Sequence, residues 1–189
     1  MAKAAYNYPP EATLRDAARS VLLAAFCQMM ANAEGTRAGL EKRNPTIEDI
    51  EFLHDMRVGS RRLRAALAVF GKVFSEQDFR NWDKAVGEIT DALGAVRDLD
   101  VQIEEFRALQ TRLPENEAYG VERLIESRLK ERDRQRKKLI TTLDKMEKDR
   151  FGKRFAKALD RATLDPEQIG KASQTLKSQV SNKGEQIRG

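Results

Sequence analysis

The stretch FLHDMRVGSRRLRAALAVF, residues 52–70, constrains the fold more than any other in the chain. Leu53, Met56, Ser60, Leu63, Leu67 and Phe70 recur at intervals of three and four, the spacing of one face of a helix that advances ~100° per residue. His54, Arg57, Arg61 and Arg64 keep the same rhythm one position on, so they form a second stripe beside the apolar one. Such a segment packs one face on other helices while its arginines border that face. Their stems lie along the packing and their heads reach toward a neighbouring groove. Arg62 points elsewhere. Like charges on one helix face repel by a few tenths of a kcal/mol per pair, on the order of 0.2–0.5, and an incoming anion relieves that repulsion.

The rest of the chain reads as helix too. Strand alternation is nearly absent, and Pro and Gly gather at a few boundaries. A first helix is expected from just after Pro10 to about Arg43, with Leu14, Ala18, Val21, Leu22, Ala25, Phe26 and Met29 on its apolar face. Pro45 stops it, Thr46 caps the next helix, and Asp49 lies in that helix's first turn. The second helix runs to about Gly71. Ser75 caps a third, which runs to about Thr111 with a bend expected at Gly94; Phe79, Trp82, Val86, Ile89, Leu93 and Val96 give its packed line. A fourth runs from about Ala118 to Lys148, and a shorter one from Phe151 to about Leu159. Long helices with short connections predict an all-α fold, an antiparallel up-and-down four-helix bundle plus a short C-terminal helix. The expected layout is a tail over 1–10, the bundle over 11–163 and a polar tail over 164–189.

Composition narrows the function classes. The longest apolar runs fall far short of the eighteen or so residues a membrane span needs, and the N-terminus lacks a secretory signal pattern. A lone cysteine, Cys27, makes no internal disulfide and fits a cytoplasmic location. With one Cys and one His, no metal site of the usual zinc ligands is expected, and no cofactor. The formal net charge of +5 points to an anionic partner only where it is concentrated.

The fourth helix concentrates it again. Its apolar line of Val121, Ile125, Leu129, Leu139, Leu143 and Met146 is interrupted by Arg132 and Arg136, with Arg128 alongside. An unpaired charge in a dry core costs several kcal/mol, so these arginines are opened to water, paired with carboxylates or built to receive an anion. Lys130, Arg134, Lys137 and Lys138 fit a solvated face with i,i+4 pairing equally well. In LGAVRDLDV, residues 93–101, Arg97 can join the basic surface, and Asp98 and Asp100 can orient arginines through paired hydrogen bonds.

HDMRVGSRRLRAALAVF and LGAVRDLDV, about forty residues apart, closely resemble the two most recognisable motifs of the CHAD domain, the conserved histidine α-helical domain. The likeness spans roughly residues 11–160. It implies long antiparallel helices with a basic central surface, and binding of inorganic polyphosphate without catalysis. Carried over by motif, His54, Arg57, Arg61, Arg62 and Arg64 match the first segment, and Arg97, Asp98 and Asp100 the second. Arg128, Arg132 and Arg136 are added from the stripe on the fourth helix. The family's domains contain two similar four-helix halves, whereas this chain has one histidine and reads as the first half plus a remnant. A homodimer completing the arrangement is one expectation.

Polyphosphate offers charge and no bases, so arginine forks that donate paired hydrogen bonds to phosphate oxygens suit it. Arg57, Arg61 and Arg64 are expected to line one wall of a groove, Arg128, Arg132 and Arg136 the other, with His54 at the end of the stripe. Association with polyphosphate granules would use the same groove. Two other readings stand beside this one. His54 on a bundle helix also fits a histidine phosphotransfer module, although such a module needs one basic helper rather than a stripe. Basic stripes also serve nucleic acid, but aromatics, on which bases stack, are only 6% of residues.

Overall fold

A computed structural model describes residues 12–42 and 45–164; the expected N-terminal tail and the stretch after Leu164 lie outside the described residues. Among the described residues six α-helices follow one another: α1 (Leu14–Ala31), α2 (Ala33–Glu41), α3 (Ile47–Phe70), α4 (Glu76–Gln110), α5 (Glu115–Lys148) and α6 (Phe151–Thr163), with a 3-10 turn at Gly71–Val73. No strand occurs among the described residues, and the fold is the expected all-α bundle. No described helix is long and apolar enough to cross a membrane.

The caps follow from the sequence. The Thr46 hydroxyl accepts the Asp49 N–H at 3.2 Å, and the Asp49 carboxylate accepts the Thr46 N–H at 2.7 Å, a reciprocal capping box. The Ser75 hydroxyl accepts the Asp78 N–H at the start of α4. Lys42 Nζ closes on both Asp49 oxygens at 2.8 and 2.9 Å. That contact, with the Thr46 N–H second, lowers the Asp49 pKa from 3.8 to about 2. A carboxyl depressed on folding stabilises the fold above its ordinary pKa, and the contribution is lost as pH falls from 3.8 to about 2. Asp49→Asn is therefore expected to lower stability at neutral pH and to flatten the acid slope in that window. Urea midpoints taken at a series of pH values check both.

The first expected helix is two. Asn32 donates its side-chain amide to the Gln28 carbonyl at 2.8 Å, taking the acceptor that its own backbone N–H would use in a continuous helix. That N–H turns instead to Met29 at 3.4 Å, and the chain restarts as α2. Helix α4 runs through Gly94 without interruption, and α5 begins a few residues before Ala118. Leu14 and Leu129, placed on apolar lines above, are 70% and 37% exposed.

Neighbouring helices are antiparallel. Arg57 meets Asp98 and Arg64 meets Asp91 between α3 and α4; Asp100 meets Arg132 and Glu88 meets Lys145 between α4 and α5. Helices α1 and α2 pass along the other side of α3. At Gly59 a Cβ would lie 2.6 Å from the Met29 nitrogen, so only glycine lets those two backbones approach so closely. Helix α2 also meets α5, through Arg37 and Asp144 at 2.8 Å. Helix α4 thus neighbours both α3 and α5. The core runs through Leu22, Met29, Met56, Leu63, Leu67, Val86, Leu93, Val96 and Leu139. Helix α6 seals one end: Phe155 is fully buried, stacked on Phe26 at 4.8 Å with Trp82 edge-on at 5.2 Å.

Candidate functional site

The outer faces of α3 and α4 leave an open groove of about 650 Å³. Arg57, Arg61 and Arg64 line it from α3, one turn apart, as the stripe predicts. The opposite wall is α4, with Asp91, Gly94 and Asp98. Small side chains, among them Ala65, Ala68 and Ala95, keep it open. Beside Gly94 the Arg57 Nε lies 3.8 Å from where a Cβ would be.

Two of the three guanidiniums are partnered. Arg57 Nη2 donates to Asp98 Oδ1 at 3.2 Å, and Arg64 Nη1 reaches Asp91 Oδ1 at 3.5 Å. The carboxylates are 63% and 75% exposed, so each pair is worth about 0–1 kcal/mol. Arg61 is exposed, and no carboxylate approaches it within 4 Å among the described residues. Asp91 was not singled out in the sequence. Its signal was there: it precedes Asp98 by seven positions, two helical turns, and therefore shares its face.

The fourth-helix arginines do not form the second wall. Asp98 and Asp100 are two positions apart, ~200° around α4, so they face opposite ways. Asp98 turns to α3, and Asp100 turns to α5, where its carboxylate accepts from Arg132 Nε. Both members of that pair are 17% exposed. Of the options for charges on an apolar line, Arg132 takes the carboxylate. Arg136 donates to the Lys42 carbonyl at 3.3 Å, at the C-terminus of α2, where a cation complements the negative end of the helix. Arg128 is half-buried, its Nε shielded and without a hydrogen-bond partner among the described residues, as is the Nε of Arg136. Arg132 thus belongs to the α4–α5 interface and Arg136 to the contact of α5 with the end of α2, and none of the three is among the groove-lining residues.

The remaining motif residues are dispersed. Arg62 donates to the Gln28 side chain on α1 at 2.7 Å, away from the groove. His54 is half-buried one turn before Arg57, and Arg97 is half-buried on α4; neither is among the groove-lining residues.

An all-α bundle carrying a guanidinium-lined groove on its outer surface is a scaffold suited to anions. Comparison with protein families gives a match to the CHAD domain over residues 20–188, and the chain belongs to that family. The match runs on through the stretch after Leu164 that the sequence reading set apart as a tail. Domains of this family are generally associated with polyphosphate binding and are typically binding modules rather than enzymes. Searches of curated proteins and of solved structures returned no match.

Proposed function

We propose that this chain binds inorganic polyphosphate in the groove between α3 and α4, with Arg57, Arg61 and Arg64 as the binding residues and no chemical step. The observation that carries the reading is the convergence of three guanidiniums from successive turns of α3 on one open groove, the central one without a carboxylate among the described residues. A phosphate chain laid along the groove meets Arg61 first and takes Arg57 and Arg64 from their aspartates. Each fork then donates charge-assisted hydrogen bonds to phosphate oxygens. His54 and Arg97 lie outside the groove lining, and Arg97 adds positive charge at a distance. Arg132 ties α5 to α4, Arg136 ties it to the end of α2, and these two with Arg128 contribute charge at a distance.

Competition tests the choice of polyanion. Long-chain polyphosphate is expected to displace labelled single-stranded DNA, while DNA at equal charge leaves bound polyphosphate in place. Among the described residues the groove is lined by guanidiniums, two carboxylates and small side chains, with no aromatic platform for bases. Displacement of polyphosphate by DNA at equal charge would favour a nucleic-acid ligand.

A further inference from the structure

Three positive groups face this groove, but two of them already hold an anion that belongs to the protein. Asp98 lies on Arg57 and Asp91 on Arg64. The two aspartates are seven residues apart on one face of α4, about 10 Å along its axis. Arg57 and Arg64 have the same separation on α3, with Arg61 between them. Among the described residues the groove thus has a free centre and two occupied ends. We infer that Asp91 and Asp98 are internal competitors that determine how affinity grows with the length of the phosphate chain, an inference that rests on the polyphosphate reading of this groove.

A short ligand has two ways to bind. It settles at Arg61 between two standing carboxylates, or it displaces one carboxylate and gains one further guanidinium. A chain longer than about 10 Å engages all three arginines, and to do so it displaces both carboxylates. The released aspartates turn to water easily, being 63% and 75% exposed already, but they stay beside the new polyanion and repel it. The penalty therefore rises with the number of carboxylates displaced, and long chains carry it twice. Each weak surface pair corresponds to a factor of up to about five in affinity. In the natural protein the gain from lengthening the chain is blunted, which keeps long-chain binding reversible.

The test compares inorganic tripolyphosphate with long-chain polyphosphate on four proteins: wild type, Asp91→Asn, Asp98→Asn and the double variant. Asparagine keeps the shape and removes the charge. A fifth protein, Glu122→Gln with Glu126→Gln, makes the same change in net charge at exposed positions on α5. Each single variant is expected to bind the long chain roughly three- to fivefold more tightly, and the double variant roughly tenfold or more. Tripolyphosphate gains less, about threefold in the double variant, so the ratio of long- to short-chain affinity rises. The α5 control changes either affinity by less than about twofold.

Weaker or unchanged long-chain binding in the double variant overturns the inference, because the aspartates would then be positioning the arginines. An equal gain in the α5 control overturns it too, because net charge alone would be acting. If wild type binds long chains and the double variant binds them no better, the polyphosphate reading stands and this inference falls. If wild type fails to bind and the double variant binds, the competitors are real and the reading of the native function falls. If neither binds, both fall.

Discussion

Replacing Arg57 and Arg61 together with alanine is expected to weaken long-chain polyphosphate binding about a hundredfold at fixed salt. A hydrogen bond to a charged group contributes ~1.5–3 kcal/mol, and exposed positions take the lower end. Two such losses come to about 3 kcal/mol, or two decades in affinity. The Arg57 change has a second effect: it leaves Asp98 unneutralised on the wall that faces the ligand. The salt dependence should weaken as well, with the slope of log affinity against log salt shrinking by about one for each arginine removed. Fluorescence anisotropy with labelled polyphosphate at several salt concentrations reads both quantities. The comparison variant replaces Lys137 and Lys138, which carry the same charge on exposed positions of α5. That variant should bind within about threefold of wild type, its effect limited to a screened, distant field. Equal losses from the two pairs would mean that only overall charge matters. The arginine variant should remain folded, since Arg61 makes no ion pair among the described residues and the Arg57 pair is worth about 0–1 kcal/mol.

Phe155→Ala is expected to cost about 3–5 kcal/mol of stability. Phe155 is fully buried, and its ring contacts Phe26 from α1, Trp82 from α4, and Phe151 from its own helix. Deleting the ring removes its transfer free energy and leaves a cavity that three elements cannot easily collapse upon. Aromatic pairs at these separations add ~0.5–1.5 kcal/mol each beyond area burial. Chemical denaturation measures the loss, and a thermal midpoint roughly 10 °C lower should accompany it. A loss under about 1 kcal/mol would mean that α6 is only loosely attached. The groove lies between α3 and α4, so the variant should keep its polyphosphate affinity under conditions where it is folded.

Much of the fold was legible in the sequence because helical periodicity and capping are local. Thr46 with Asp49, and Ser75 with acidic residues after it, start their helices where the sequence places them. Trp82 and the line from Val86 to Val96 are core, as their spacing requires. The division of the first helix was hidden because it depends on one side chain, Asn32, winning a carbonyl from its own backbone. Periodicity continues across the break and gives no sign of it.

The site was legible by halves. The spacing of Arg57, Arg61 and Arg64 fixes their common face, and they share a groove. The spacing of Arg128, Arg132 and Arg136 fixes a face in the same way, but a wheel drawn for one helix does not say which neighbour lies across from it. Helix α4 stands between α3 and α5 and takes contacts from both. Two residues of the same motif show this: Asp98 answers Arg57 on one side and Asp100 answers Arg132 on the other. Their two-residue spacing already ruled out a common groove. Asp91 went unremarked because it lies before the recognisable motif, although its seven-residue offset from Asp98 places it on the same wall.

The central claim is that the phosphate chain lies along α3, between it and α4. The most direct measurement follows the guanidinium Nε–H resonances of the arginines by nitrogen-15 NMR during titration with polyphosphate. The account predicts that Arg57, Arg61 and Arg64 shift together and saturate together, while Arg132, held by Asp100, stays in place. Shifts confined to Arg128, Arg132 and Arg136, or spread evenly over every exposed arginine, would contradict it.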